Sequence, residues 1–392
     1  MKKLLTSVAV MISMEGYCQT KTGLETTKDI LETNDISSKS EETKERTIKG
    51  IIKNPDLYND IWGNYIKGYI SDNWAIARNL NIEFKTFQTE ENPVASLGLA
   101  YDFNFEYGKF ISDSNASRRI LHEFGFSTKG NVAFNRKSNP VDFLVTNASY
   151  NIAAFTGGVR TTNDATIITN INNTASSLSR LKDPQSEEAM QLWEQLGQNI
   201  KLTNQYYYSA APKFALESNQ NFSKVQFAPG ITFGLGAKAW NDDSFLSKIS
   251  VFDYPFALIR LLTKTDKEFT PYGATIPTAL LGFDYIKPVN DTTREGLTNN
   301  DNLFPRFRFE TGFRTYITKI KNENIFFNAN YRVYREIKSS DVIRTANLDK
   351  QNYFVMALQS TSGLFVSYAN GRLPFDVKDD QIYSLGFNYK LR

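Results

Sequence analysis

One cysteine and one histidine among 392 residues leave little for thiol, disulfide or transition-metal chemistry. Such a metal needs several soft or imidazole ligands, and here Cys18 and His122 each stand alone. No catalytic residue, metal or cofactor is assigned. A run of about twenty apolar residues is also missing, so no membrane-spanning helix is expected. Nor does one sign of charge dominate. The 45 Lys and Arg face 42 Asp and Glu, a net charge of +3, without the concentrated basic stripe that nucleic-acid binding requires. What is abundant is aromatic: 29 Phe and 20 Tyr, in a chain whose mean hydropathy is −0.40. A polar-average chain rich in aromatics fits strands that alternate their faces better than a thick dry core.

The opening MKKLLTSVAVMISMEGYCQT reads as a secretory signal peptide over residues 1–18. Lys2 and Lys3 form the charged region and Leu4 to Met14 the short apolar one. Gly16 and Cys18 are the small residues at −3 and −1 before Gln19. A lipid-modified cysteine would need a small residue where Tyr17 stands. Cleavage there leaves a mature chain with no cysteine. Export without a helical span leaves a periplasmic protein, a secreted protein or a membrane barrel. Residues 19–47, rich in Thr, Ser, Glu and Lys and free of aromatics, read as a disordered polar tail. Residues 48–78 read as a periplasmic helix or one more strand.

From residue 79 the pattern has a period of two. VASLGLAYDFNFEY (94–107) sets Leu97, Leu99, Tyr101, Phe103, Phe105 and Tyr107 against Gly98, Asp102, Asn104 and Glu106. In FRFETGFRTYI (307–317), Phe307, Phe309, Phe313 and Ile317 oppose Arg308, Glu310 and Arg314, with Arg306 just before. IFFNANYRVYREI (325–337) sets Phe327, Ala329, Tyr331 and Val333 against Asn328, Asn330 and Arg332. ITFGLGAKA (231–239) and YSLGFNYKL (383–391) alternate likewise. Successive strand side chains point to opposite faces, so each run has an apolar and a polar side. Weaker strands are expected near 120–133, 140–154, 203–216, 246–262, 272–287, 352–360 and 363–371, with Pro255 and Pro277 interrupting two of them.

Alternation also suits a soluble sandwich. Segments of ten residues or more, an apolar face heavy in Tyr and Phe, and an opposite face of glycines and charges favour lipid outside and a polar lumen inside. Backbone groups in lipid must all be paired, which strands achieve only by closing. The expectation is an all-β transmembrane antiparallel up-and-down barrel over 79–392 in the outer membrane. It has about 12 strands, or about fourteen if both 60–72 and 78–90 contribute. Counting back from a periplasmic C-terminus puts connections 372–380, 338–351, 288–303 and 155–202 outside. Connections 360–362, 320–324 and 217–222 then lie inside. The 155–202 insertion is expected to be partly helical, over 183–200.

The polar faces supply the candidate site. Arg306, Arg308, Glu310, Arg314, Asn328, Asn330, Arg332, Asp102, Asn104 and Glu106 are expected to line the lumen, with Arg314 paired near Asn330 and Arg332 near Gly312. Two readings compete: an anion-favouring wall or site for an acidic solute, and an internal ion-pair network with Glu310, Glu336, Asp102 and Glu106 that fills a closed barrel. His122 on the outer face has Phe124 beside it and Ser127 opposite, which offers no nucleophile–base pair. The carboxylates Asp376, Asp379 and Asp380 lack the fixed spacing of a calcium loop and read as solvated loop charge.

The closing segment GLFVSYANGRLPFDVKDDQIYSLGFNYKLR (363–392) resembles the C-terminal hairpin of Bacteroidota-type outer-membrane β-barrel proteins, and the signal-peptide end with Gln19 following is similar. The resemblance implies that strand 381–392 is read by the barrel-assembly machinery, through the alternating Tyr383, Phe387 and Tyr389. The chain ends on Leu391–Arg392 where the family ends on an aromatic. Such barrels host many functions. The leading expectation is a passive channel for small hydrophilic solutes, anions among them, embedded in outer-membrane lipid and without nucleic-acid partners. The alternatives are a closed structural or surface-binding barrel acting through its loops, and an outer-membrane enzyme acting on lipid.

Overall fold

The computed structural model describes residues 75–391 except 90–93, 113–117, 136–138, 140–141, all but four of 161–200, 239–244, 272–275, 299–301, 321–322 and 377–378. The expectations for 1–18, 19–47 and most of 48–78 lie outside the described residues, as does nearly all of the helix expected over 183–200.

Twelve antiparallel strands close on themselves. They are β1 (Ala75–Thr89), β2 (Ser96–Ser112), β3 (Arg118–Ala133), β4 (Leu144–Arg160), β5 (Lys201–Ser218), β6 (Val225–Lys238), β7 (Thr278–Asn290), β8 (Phe304–Ile320), β9 (Glu323–Glu336), β10 (Lys350–Ser360), β11 (Leu364–Gly371) and β12 (Asp380–Leu391). Each pairs with its neighbours in sequence, and β1 pairs with β12 through Leu80↔Leu391 to Thr89↔Ile382. Closure leaves no strand edge unpaired.

The period of two sorts the side chains as the sequence implies. Facing outward are Phe84, Leu97, Tyr107, Phe124, Phe214, Leu235, Phe283, Leu358, Val366, Leu385 and Tyr389, each 39–63% exposed. These aromatic and aliphatic side chains, standing free on nine of the twelve strands of a closed wall, invert the soluble rule, and they form the belt that meets lipid in a membrane barrel.

The stretch 246–262 is helical, not a strand. A short helix α1 (Phe245–Lys248) and a 3₁₀ turn (Val251–Asp253) lead into α2 (Tyr254–Leu262). Pro255 lies in the first turn of α2, where a missing N–H costs nothing and its fixed φ suits a helix. The run YPFALIRLL is apolar without alternation. The strand expected over 272–287 begins only after Pro277, at Thr278. Two small helices, α3 (Thr292–Thr298) and α4 (Asp341–Thr345), complete the described elements.

Because 246–262 does not cross the barrel, every connection before it changes sides relative to the expected count. Connections 219–224 and 372–379 share one end, the loop end, together with α3 and α4. Connection 161–200 lies at the opposite end with both strand termini, as do 239–277 and the short turns 321–322 and 361–363. Long and short connections are therefore not sorted by side, contrary to expectation. The β8–β9 register is also two residues from the expected one. Arg314 faces Asn328, Gly312 faces Asn330, and Glu310 faces Arg332, with an irregularity at Tyr316/Thr318 that alternation alone cannot show.

Candidate functional site

The lumen wall follows from parity. Asp102 on β2 stands opposite Asn81 on β1 and Lys129 on β3. Arg306, Arg308 and Glu310 on β8 stand opposite Asp284, Gly282 and Leu280 on β7. On the other side they meet Glu336, Tyr334 and Arg332 on β9. All these positions share the inward parity, so six strands, five of them carrying charge, contribute to one enclosed space.

Near the loop end the charges are packed and matched. Arg306, 3% exposed, donates both terminal nitrogens to Glu217 at 2.8 and 2.6 Å and one of them also to Asp284 at 3.0 Å. Gln226 donates to the same Glu217 at 2.5 Å. Lys213 reaches Asp284 at 3.0 Å. Glu336 takes two hydrogen bonds of 2.9 Å from Arg294 of α3. This fork-on-carboxylate geometry orients both partners as well as neutralising them.

Deeper in, the polar groups are looser and border space. Arg332 approaches Glu310 at 3.3 Å and donates to Asn330 at 2.8 Å, while Asn330 donates to Glu310 at 3.3 Å. Arg308 donates to Thr232 at 2.7 Å. A cavity of about 270 Å³ opens here, bordered by Lys85, Lys129, Arg332, Glu83 and Asp102, with Asn and Ser side chains between them. Three cations thus meet two carboxylates around it.

Toward the loop end the cavity is bordered by apolar side chains. Phe143, Tyr334, Tyr353, Ala369, Leu373 and Ile382 form one buried cluster, with Phe375 and Val145 against it. Phe143 precedes β4, and Leu373 and Phe375 lie in the β11–β12 connection, which folds inward over the mouth. That connection is a built latch. Asp376 accepts the Leu373 N–H at 2.8 Å, and its own N–H donates back to the Leu373 carbonyl at 3.1 Å. Lys224 donates to the Phe375 carbonyl at 2.8 Å. Arg372 donates to the carbonyls of Asn347 and Lys350. Burial and the neighbouring Asp380 and Asp142 push the Asp376 carboxyl from an ordinary 3.8 up to about 7, against the Leu373 N–H and Lys224. Asp376 is therefore not the solvated loop charge that the sequence suggests. Asp379, 73% exposed, is.

The residues expected in the lumen share one parity of their strands, and their contacts differ. Arg306 belongs to the sealed network, not to a solvent-lined wall. Arg314 lies over the Phe326 ring at 4.7 Å. Asn328 donates to Gln359 at 3.4 Å, Asn104 donates to Asp102 at 3.2 Å, and Glu106 stands opposite Gly125. The sequence reading missed Glu217, Asp284, Lys213 and Lys129. Asp284 sits between the apolar Phe283 and Tyr285, a signal that could have placed it inward, whereas Lys129 lies between Thr128 and Gly130 and carries no such signal. On the outer face, the His122 ring meets the Tyr150 hydroxyl at 3.2 Å.

No family model matches this chain, and no curated protein does. Solved barrels with similar courses include a NanC porin, at 9% identity and a TM-score of 0.30, covering 80% of this chain and 100% of that one. A KdgM porin gives 8% and 0.27, covering 80% and 99%. An anion-selective porin from Comamonas acidovorans gives 8% and 0.27, covering 81% and 100%.

Proposed function

We propose that this protein is an outer-membrane channel for small hydrophilic solutes, with a weak preference for anions, closed in the present conformation by its β11–β12 latch. The observation that carries the reading is the charge-lined lumenal cavity of about 270 Å³ beneath that latch. A barrel that served only as a wall could fill this layer with packed side chains, as the layer above it is filled. The excess of cations around the cavity supports the anion preference. The exposed outward belt supports the membrane location, and β12, with Tyr383, Phe387 and Tyr389 outward, is the segment that assembly machinery would read.

Planar-bilayer conductance of the refolded mature chain under a salt gradient tests this. Brief openings with mild anion preference are expected. They lengthen in Phe143→Ala, which thins the apolar cluster, and lose their preference in Arg332→Gln and Lys129→Gln. Silence from wild type and Phe143→Ala, both demonstrably folded, refutes a channel.

A second reading is supported by the sealed Arg306–Glu217–Asp284 network: a permanently closed barrel that acts through its loop-end surface. It predicts that silence, and it predicts that removing loop-end connections changes binding at the surface and not conductance.

A further inference from the structure

Helix α2 and the turn before it lie outside the barrel, against the wall of β8 and β9. Phe256 packs on the outward rings of Phe313 and Phe327, with centroids 5.9 and 4.8 Å away. Asp253 accepts a hydrogen bond from the outward Thr315 hydroxyl. Arg260 donates to the Tyr316 carbonyl at 2.6 Å, where the β8–β9 register breaks.

The polarity of this element is the reverse of a helix lying on a protein in water. Its underside holds the ions. Arg260 and Asp253 are both fully buried and joined at 2.6 Å, with Asp266 at 3.0 Å from Arg260 and the Thr270 carbonyl accepting at 2.9 Å. Its upper side is apolar: Val251, Phe252, Leu258, Ile259 and Leu262 are 38–72% exposed, and Phe245 is 77% exposed. A helix that is apolar on its free face and has its charge satisfied underneath belongs in an apolar medium. Exposed charge returns at the ends, as Lys248, Lys264, Lys267 and Glu268, where the long lysine stems let ammonium groups reach a polar boundary.

The free face also continues the barrel's own belt. Phe327, on which Phe256 sits, pairs with Leu358. Leu358 pairs with Val366, and Val366 with Leu385. The last three are 49–58% exposed on the outer wall. The helix thus interrupts one hydrogen-bonded row of lipid-facing side chains and presents its own in their place.

We propose that residues 245–270 are a membrane-embedded element. Leu258, Ile259 and Leu262 lie among the acyl chains of the leaflet at the barrel's terminus end, and Lys248, Lys264 and Lys267 meet its anionic headgroups. This rests on the reading that the barrel spans a membrane. It adds that the lipid contact on this sector is made by a helix, which buries an ion pair between itself and the strands and widens the protein's footprint in one leaflet only.

Nitroxide labels test it in the full chain carrying Cys18→Ser, reconstituted in phosphatidylethanolamine–phosphatidylglycerol vesicles. The positions are Leu258→Cys and Leu262→Cys on the helix, Phe233→Cys on the bare wall and Leu303→Cys in a connection. All four side chains are exposed, so labelling leaves the packing intact. Collision with oxygen and with a soluble nickel chelate is read by power saturation. The expected result is that both helix labels behave like Phe233→Cys, open to oxygen and shielded from nickel, while Leu303→Cys meets nickel freely. Nickel reaching the helix labels but not Phe233→Cys overturns the proposal and leaves the membrane barrel standing. Nickel reaching all four overturns the membrane reading itself. Shielding of the helix labels from both reagents means that a second protein surface covers the helix, and that also overturns it.

Discussion

The latch over the loop end should open as pH rises, and Asp376 sets how strongly. In the closed latch its carboxyl titrates near 7 instead of 3.8, because burial beside Asp380 and Asp142 disfavours the charge. Once the connection swings into water the group returns to its ordinary range. Below about pH 4 both forms are protonated and the group is neutral to the equilibrium. Between about 4 and 7 the closed form binds more protons than the open form, so each unit of pH favours opening by up to ~1.4 kcal/mol. Above about 7 both forms are ionised and the effect levels off. The full span corresponds to at most ~4 kcal/mol, and water at the half-buried side chain trims that. From pH 5 to 7 the closed fraction should fall by about ten- to fiftyfold relative to the open one. Amide hydrogen exchange at Leu373, whose N–H is held by the Asp376 carboxyl at 2.8 Å, reads this once intrinsic base-catalysed exchange is divided out. Its protection should decline to pH 7 and then stay flat. In Asp376→Asn the amide oxygen keeps the bond without the titration, so protection should not vary with pH. Wild-type protection that is constant or rises across this range would refute the reasoning.

Three further perturbations follow from the packing. Arg306→Ala leaves Glu217, 3% exposed, with no cation among the described residues in hydrogen-bond contact and only Gln226 donating to it, while Asp284 keeps Lys213. It should lower stability by ~3–5 kcal/mol, read as the urea midpoint of the folded band in lipid, and adding Glu217→Gln should recover part of the loss. Arg260→Met alone leaves Asp253 charged beneath α2 and should cost a similar amount, whereas Arg260→Met with Asp253→Leu should cost far less; equal losses in single and double variants would refute the pairing argument. Gly371→Ala should cost more than ~1 kcal/mol, because Gly371 sits at φ +108 with the Asn352 carbonyl where a Cβ would go. In the same titration its midpoint should drop, while Gly296→Ala, which meets nothing, should not move it.

The strands were legible because lipid outside and polar groups inside impose one rule along each of them. FRFETGFRTYI and DFNFEY carry that rule without interruption, and both lie within strands, β8 and β2. YPFALIRLL obeys a different one. Between the barrel wall and the medium outside it, a helix can be apolar on nearly all sides, so its sequence shows neither strand nor helix periodicity and only Pro255 marks its start. That single element reversed the parity of everything before it, which is why 155–202 was expected at the wrong end. The partners of Arg306 were illegible for another reason. Glu217 lies three strands away on β5, brought into reach by closure and not by any spacing along the chain.

On the proposed channel reading, the placement of charge lets the barrel be both tightly held and penetrable. An ion pair sealed from water stabilises little in net terms but forbids any rearrangement that separates its members. The loop-end group of Arg306, Glu217, Asp284 and Lys213 therefore fixes β5, β7 and β8 relative to one another and keeps that side of the mouth rigid. Arg332, Lys129 and Asp102 border the cavity instead, where water or a solute can exchange with their partners at small cost. The moving part is then confined to the latch between β11 and β12. Its hold is the Asp376 carboxylate, the carbonyls that accept from Lys224 and Arg372, and the apolar packing of Leu373 and Phe375, with Phe143 and Phe375 5.9 Å apart. Opening can thus proceed without separating Arg306 from Glu217 or Asp284.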